Sequence, residues 1–383
     1  MSALEKHLHP VPAPAIEPWP KHDGDVSAYL ATDPPPRKWF AHNRLLAGRA
    51  AVLTGIGGAS KTTALYHLAL GAVLGRLPWD WQIDTTGTAL LFLTEDTTDD
   101  THHAMAALCD DLSDEDKALV EAKLRVFPLA GEDVRLLSND GGTLYENPRA
   151  LGLIARCESF EDVAFIGIDP ALALSEGDEM SQSHQRYLGQ FVDKLAILTG
   201  ACAMLVTHST KASATADEVT SHASRGGGGI TDSVRAEFLL RTMTAKEATA
   251  HGIGGNDRKR YVQLVATKAN KAPLDVFAPL WLERGRNGLL YPAELALAEK
   301  TETTLTLKDR RILDALCELC QVATPTRQEW RLECERRGLL TGKTEDARLS
   351  AMKRSIACLL DAGAIKNGVA RGVYVPVYET EIR

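Results

Sequence analysis

Two patterns of hydrophobic residues, one typical of buried strands and one typical of helices, alternate along most of the 383-residue chain. Short apolar runs predict buried strands at 50–54, 88–94, 163–168 and 201–207, and runs at 236–242 and 260–267 would extend the same sheet. Residues between these runs recur at helical spacing; after the first run, Leu65, Leu68 and Ala69 lie on one helical face. Because strands that alternate with helices pair in parallel, residues 39–290 predict an α/β domain with a mainly parallel sheet.

The C-terminal part has a different pattern. Helical spacing covers 308–321, 327–338 and 346–362, and a short apolar ribbon follows at 368–377. Three helices followed by a ribbon is the order of a winged-helix module. The predicted parts are a disordered N-terminal arm at 1–33, an α/β domain at 34–298 and a C-terminal winged-helix-like domain at 306–383.

Composition narrows the class of protein. The chain is 44% hydrophobic and 25% charged, as in ordinary globular proteins. It has no apolar run near the roughly 20 residues of a membrane span, and its seven scattered cysteines indicate a reducing compartment. We therefore expect a cytoplasmic protein without a membrane partner. Cys317 and Cys320 have half the spacing of a zinc site, but no second pair follows, which predicts helix packing instead.

A glycine-rich stretch joins the first predicted strand to the first helix. It reads G-I-G-G-A-S-K-T, and such a turn directs backbone N–H groups at a phosphate. Lys61 would reach the β- and γ-phosphates of ATP, and the Thr62 hydroxyl would bind Mg²⁺. The residues assigned to this loop are Gly55, Gly57, Gly58, Ala59, Ser60, Lys61, Thr62 and Thr63. Ser60 replaces the usual glycine; serine is compatible with helical backbone angles, so we expect a weakened but working loop.

Polar residues follow three of the other predicted strands. Glu95 comes after strand 88–94, where a carboxylate could polarise the water that attacks the γ-phosphate. Asp169 ends strand 163–168 and would hold Mg²⁺. His208 ends strand 201–207, with Lys211 close behind, and could donate a hydrogen bond to the γ-phosphate. Together with the glycine-rich loop, these residues predict a nucleotide triphosphatase.

The order of these motifs resembles the RecA-like ATPases. Within that group, residues 224–235, S-R-G-G-G-G-I-T-D-S-V-R, resemble a conserved run of the plasmid RepA-type hexameric replicative helicases. Residues 267–270 are similar to the K-x-N turn of the same family, and the whole resemblance spans roughly residues 35–275.

The resemblance implies an ATP- and Mg²⁺-dependent homohexamer that grips single-stranded DNA in a central channel. Arg235 would be an arginine finger that enters the neighbouring subunit's nucleotide site, Glu95 the catalytic carboxylate and His208 the phosphate sensor. Lys211 and Arg225 are assigned to the nucleotide site as further cations. The channel loops would be 175–183 and 209–224.

Two other functions stay open. One is an ATP-dependent regulatory switch whose C-terminal domain binds duplex DNA or a protein partner. A net charge of −8 argues against a generally basic surface, but not against local phosphate contacts. Those contacts would come from Arg336, Arg337, Arg348, Lys353 and Arg354, unless this domain is only a solvated bundle. The other function, a small-molecule kinase, is disfavoured because residues 110–150 lack an arginine-rich lid.

Overall fold

The computed structural model describes residues 25–209, 228–297, 305–368 and 372–377. The chain forms two compact units, the first made of Met1–Thr242 and Arg260–Ala293, the second of Met243–Lys259 and Glu294–Arg383. Of the predicted N-terminal arm, only residues 25–33 are described. Lys211, Arg225 and most of the loop predicted at 209–224 lie outside the described residues.

The first unit alternates strands and helices. Its strands are β1 (Trp39–Ala41), β2 (Leu45–Leu46), β3 (Ala50–Gly55), β4 (Thr88–Leu93), β5 (Leu124–Pro128), β6 (Leu137–Asp140), β7 (Thr143–Glu146), β8 (Val163–Asp169), β9 (Cys202–His208), β10 (Ala236–Thr242), β11 (Tyr261–Ala269), β12 (Leu280–Arg284) and β13 (Leu290–Pro292). Its α-helices are α1 (Ser27–Leu30), α2 (Lys61–Leu74), α3 (Thr98–Cys109), α4 (Asp114–Lys123), α5 (Pro148–Glu158), α6 (Gln182–Thr199) and α7 (Gly229–Ser233).

Nine strands form one sheet in the order β13-β12-β11-β10-β3-β9-β8-β4-β5. The six strands from β10 to β5 pair in parallel; five of them lie at predicted strands, and β5 does not. β11, β12 and β13 continue the sheet in antiparallel pairs. Two reversals separate β10 from β12, so β12 runs in the same direction as the parallel strands. We call the edge where these strands end the carboxyl edge, and the opposite edge the amino edge.

The sheet is covered on both faces, which explains why its strands are continuously apolar. In β3, Ala51 and Leu53 join the core that includes α2. Ala50 and Val52 join the core on the other face, which includes residues of α5 and α6. All six β3 residues are buried. The strand that leads into the glycine-rich loop therefore lies at the centre of the unit.

Helix α7 packs closely against the start of α6. A Cβ atom placed on Gly229 would lie 2.2 Å from the Gln182 carbonyl oxygen, so no larger side chain fits without moving backbone. The last glycine of the glycine run, Gly229, is the first residue of α7 and therefore has a packing role. This contact fixes the segment that leads into β10.

The second unit contains α8 (Ala245–Ala250), α9 (Leu307–Cys320), α10 (Arg327–Arg336), α11 (Glu345–Asp361), β14 (Ile365–Asn367) and β15 (Tyr374–Pro376). The last three helices lie within two residues of the predicted bounds, and β14 pairs antiparallel with β15. Threonines cap all three helices at their N-termini. The buried Trp330 donates from its indole nitrogen to the Ile312 carbonyl at 2.9 Å, which ties α10 to α9. Cys317 and Cys320 lie on α9.

Three of the five cations assigned to a phosphate-binding face are in contact with carboxylates. Arg336 and Arg337 each bond Glu333 at 2.6 Å, and Arg348 lies 3.5 Å from Glu335. Their positive charge is therefore largely balanced within the unit. None of the helices that the structure describes is both long enough and apolar enough to cross a membrane.

We predict that Gly229→Ala destabilises the protein. Forcing an extra methyl into a packed contact typically costs about 1–3 kcal/mol, so the melting temperature should fall by roughly 3–8 °C. Gly152→Ala is the matched control, because Gly152 is exposed on α5 with open space at its Cβ position. Alanine favours helix there, so thermal melting should be unchanged or slightly higher. Equal stability of the two variants would contradict the packing argument.

Candidate nucleotide site

The glycine-rich stretch forms the turn from β3 into α2, at the carboxyl edge. The Ile56 carbonyl accepts the Ala59 N–H at 3.2 Å and the Lys61 ammonium at 3.0 Å. Burial lowers the pKa of Lys61, and the nearby Asp169 and Glu95 carboxylates oppose that shift. A partly desolvated cation thus lies at the first residue of α2, which suits a phosphate bound at the start of this helix.

Glycine is needed at two positions of the loop, for a different structural reason at each. A Cβ on Gly55 would come within 2.4 Å of the Leu240 carbonyl oxygen in β10, so the close strand pairing requires glycine. Gly58 has φ +72°, in the left-handed region that favours glycine. Gly57 has open space at its Cβ position, on a side of the loop that a ligand can approach.

The backbone conformation of Ser60 differs from the helical one that we expected from the sequence. Its backbone is left-handed, with φ 67° and ψ 33°, rather than helical. This conformation costs a non-glycine residue about 1–2 kcal/mol. The Ser60 hydroxyl accepts a hydrogen bond from Arg284 Nε at 2.8 Å. The serine is thus held by a side chain that the sequence analysis did not include in the site.

The predicted metal ligands lie together. Thr62 Oγ1 donates to Asp169 Oδ2 at 2.6 Å. Burial raises the pKa of Asp169; Thr62 and Lys61 oppose the shift, and Glu95 adds to it. Glu95 is exposed, beyond the end of β4 and next to Asp96. Several carboxylates therefore share this edge with one buried ammonium group.

These oxygens fit Mg²⁺ as a partner of the nucleotide. A hydroxyl and a carboxylate are hard ligands, and burial leaves the Asp169 charge poorly solvated. Among the described residues, no group of three or more His, Cys, Asp or Glu side chains could form a protein-only metal cage. Mg²⁺ commonly takes one or two protein ligands and completes its shell with water and phosphate oxygens. Thr62 and Asp169 would hold it, and the bound ion would offset the phosphate charge.

His208 lies next to the glycine-rich loop. It is the last residue of β9 and is in register with Gly55 on β3. Its neighbours Thr207 and Ser209 have buried hydroxyls that lack a hydrogen-bond partner within the described part of the chain. The structure therefore brings His208 to the same edge as Lys61 and Asp169.

A cavity of about 320 Å³ opens beside Thr62 and Thr63, between α2, α3 and the turn that links β12 to β13. Its wall includes Tyr66 and His103. Burial raises the pKa of Tyr66 to about 12, so the phenol stays protonated and able to donate a hydrogen bond. The size and position suit the nucleoside part of a nucleotide whose phosphates lie on the loop.

Arg235 lies at the amino edge, away from all of these residues. It precedes β10, and its N–H donates to the Ala50 carbonyl at the start of β3. Its own carbonyl accepts the Asn270 N–H at 2.9 Å, while its side chain is exposed. Because β3 rises about 3.3 Å per residue, Arg235 and the glycine-rich loop are separated by about 16 Å along the sheet. The structure does not bring them together within one chain.

Sequence reasoning missed two charged residues near these sites. Arg284 contacts the glycine-rich loop from β12, and its position depends on two strand reversals that no local pattern reveals. Glu237 is buried and accepts hydrogen bonds from Thr231 and Thr267. The sequence did contain a signal for Glu237, because a carboxylate near the start of a largely apolar strand is unusual.

A family model described as the AAA domain matches residues 18–214, just over half of the chain. The chain belongs to the AAA domain family. It is an AAA-type P-loop ATPase with the α/β fold of that class, for which Mg²⁺ is the typical metal. The matched range includes the glycine-rich loop at residues 55–62, which we now call the P-loop, together with Glu95, Asp169 and His208. It ends before Arg235 and Arg284.

We predict that Asp96→Asn stabilises the protein in the absence of metal and nucleotide. Burial raises the pKa of Asp96, and Asp169, Asp100 and Glu95 add to the shift. A raised pKa means that ionised Asp96 costs stability once the pH is above it. The variant should therefore melt a few degrees higher at pH 8 in EDTA. This gain should shrink as the pH falls through the raised pKa, where the wild-type carboxyl becomes neutral too.

Asp99→Asn is the control, measured by thermal melting over the same pH series. Asp99 is exposed in the first turn of α3, where an acidic side chain favours the helix dipole. Its replacement should not raise the melting temperature. A lower melting temperature for Asp96→Asn at pH 8 would contradict the account of the carboxylate cluster.

Proposed function

We propose that the protein is an ATP-driven motor on single-stranded DNA, a replicative helicase or translocase of the plasmid or phage type. It works as a homohexameric ring with the nucleotide bound between subunits. The observation that carries this proposal is the position of Arg235 relative to the P-loop. The two lie at opposite edges of one sheet, so Arg235 can serve a nucleotide only in another copy of the chain.

The local structure of Arg235 supports a role as an arginine finger. Its backbone is hydrogen-bonded on both sides, to Ala50 and Asn270, and its side chain extends into solvent. Lys268 provides a second cation nearby; its ammonium donates to the Thr231 carbonyl at 2.6 Å. Burial lowers the pKa of Lys268, and the Arg235 charge contributes to the same shift. A fixed backbone with an exposed cationic side chain suits contact with a phosphate of a neighbouring subunit.

Head-to-tail contacts follow from this arrangement. Each copy offers a P-loop at one edge and Arg235 at the other, which is the condition for a heterologous interface. Repetition of such a contact closes into a ring when the rotation permits it. In each site Lys61, Thr62 and Asp169 would bind Mg²⁺ and nucleotide. Glu95 would activate water, and His208 would sense the γ-phosphate.

The proposal of a DNA substrate rests on the resemblance of residues 224–235 and 267–270 to RepA-type helicases. The first predicted channel loop, 175–183, is acidic, with Glu176, Asp178 and Glu179. A phosphate backbone would be repelled there. The grip would therefore depend on the loop after β9, where Lys211 and Arg225 lie.

A regulatory switch is the second candidate. It is favoured by the ion pairs that Arg336, Arg337 and Arg348 make within the second unit. Cations that are already paired gain less from a phosphate than free ones do. The C-terminal unit of such a switch would therefore bind a protein partner in preference to duplex DNA.

A mixing experiment tests the shared site. Lys61→Ala lacks a working P-loop but keeps its finger, and Arg235→Ala has the opposite defect. Each protein alone should have almost no ATPase activity, because a finger is worth about 10³–10⁵ in rate. If subunits mix at random in rings, about a quarter of the interfaces pair an intact P-loop with an intact finger. The equimolar mixture should then recover a comparable fraction of wild-type activity.

Both variants should elute from gel filtration at the same volume as wild type, which shows that a loss of assembly is not the cause of their inactivity. An inactive mixture of well-assembled subunits, or an active Arg235→Ala protein, would overturn the shared site. Single-stranded DNA added to wild type separates the two candidates. If the protein is a motor, single-stranded DNA should raise the rate of ATP hydrolysis, and added salt should remove this stimulation. A rate that does not change with DNA favours the switch.

A further inference from the structure

Arg284 reaches the P-loop from the antiparallel side of the sheet. It is the last residue of β12, which pairs with β11, and β11 pairs with β10. Because β12 runs in the same direction as β3, both strands end at the carboxyl edge. The intervening strands separate β12 from β3 by about 14 Å, and the long Arg284 side chain nevertheless reaches the loop that follows β3.

The guanidinium contacts the loop at two points. Nε donates to the Ser60 hydroxyl at 2.8 Å, and Nη2 donates to the Gly58 carbonyl at 2.6 Å. Burial lowers the pKa of Arg284, but an arginine stays charged in proteins. Both hydrogen bonds are therefore charge-assisted, which makes them stronger than bonds between neutral groups.

The two contacts fall on the two left-handed residues of the loop. Gly58 has φ +72° and Ser60 has φ 67°. Glycine adopts this conformation freely, whereas serine adopts it at a cost. The chain has serine at the second position, and that serine carries the hydroxyl that Arg284 binds. Ser60, which replaces the usual glycine, and Arg284, which binds its hydroxyl, are therefore a matched pair.

We propose that Arg284 is a positioning residue that holds the P-loop in its phosphate-binding shape. It compensates for the strain of Ser60, so the loop binds nucleotide without the glycine usual at that position. This inference rests on nucleotide binding at the P-loop, and it does not depend on the ring or on DNA.

The test is a double-mutant cycle on nucleotide affinity. Wild type, Ser60→Gly, Arg284→Ala and the double variant are titrated with a fluorescent ATP analogue and Mg²⁺, and KM and kcat are measured alongside. In the wild-type background, Arg284→Ala should weaken binding about tenfold, as expected for charged hydrogen bonds. In the Ser60→Gly background the loss should be no more than about twofold, because glycine needs no support. KM should carry the effect, with kcat nearly unchanged.

Arg284→Lys tests whether charge alone is enough. Lysine keeps the positive charge but lacks the planar fork, so it should not restore wild-type affinity. Arg310→Ala is the control, since Arg310 is exposed on α9 of the second unit, has no part in the glycine-rich loop or the cavity wall, and should have no effect. Thermal melting checks that each variant folds.

Equal losses in both backgrounds, or full rescue by lysine, would overturn the proposal and indicate a direct contact between Arg284 and the nucleotide. Failure of the wild-type protein to bind nucleotide would overturn the ATPase function on which the inference rests. The positioning role is supported if the loss of nucleotide affinity in Arg284→Ala requires Ser60 and if Arg284→Lys does not restore the affinity.

Discussion

The parallel pairing of β10 with β3 is the constraint on which the proposed mechanism depends. Ala236 is in register with Ala51, so β10 begins where β3 begins. The residue before β10 is then fixed at the amino edge, while the P-loop after β3 is fixed at the carboxyl edge. The close approach of the Leu240 carbonyl to Gly55 keeps this pairing tight. One sheet therefore holds the P-loop and Arg235, the two proposed halves of a shared catalytic site, at opposite edges.

The charges at the carboxyl edge are arranged for a ligand of mixed charge. Burial raises the pKa values of Asp169 and Asp96 and lowers that of Lys61, so each group is less stable in its charged form. A nucleotide with Mg²⁺ supplies an anion for Lys61 and a cation for the carboxylates. Binding would thus relieve an electrostatic cost that folding leaves in place. A site built in this way responds strongly to the presence of its ligand.

Much of this organisation could be predicted from local sequence patterns. Apolar runs predicted β3, β4, β8, β9, β10 and β11. The ends of the predicted strands also indicated that Lys61, Asp169 and His208 would lie at the same edge. β5 was missed because Arg125 and Pro128 interrupt its apolar pattern and it follows α4 directly. The role of Arg284 could not be predicted, because it depends on strand pairing between distant residues. The Ser60 conformation was predicted wrongly, because neither its left-handed backbone nor the hydrogen bond from the distant Arg284 to its hydroxyl follows from the local sequence.

The most direct test of the central claim is the ATPase rate per subunit as a function of protein concentration, with assembly followed by sedimentation in the same buffer. If one copy completes the site of the next, the rate per subunit should rise with concentration at the same midpoint as assembly. It should approach zero where the protein is monomeric. A monomer that hydrolyses ATP at the full rate would contradict the account, because its nucleotide site would then be complete without a second copy.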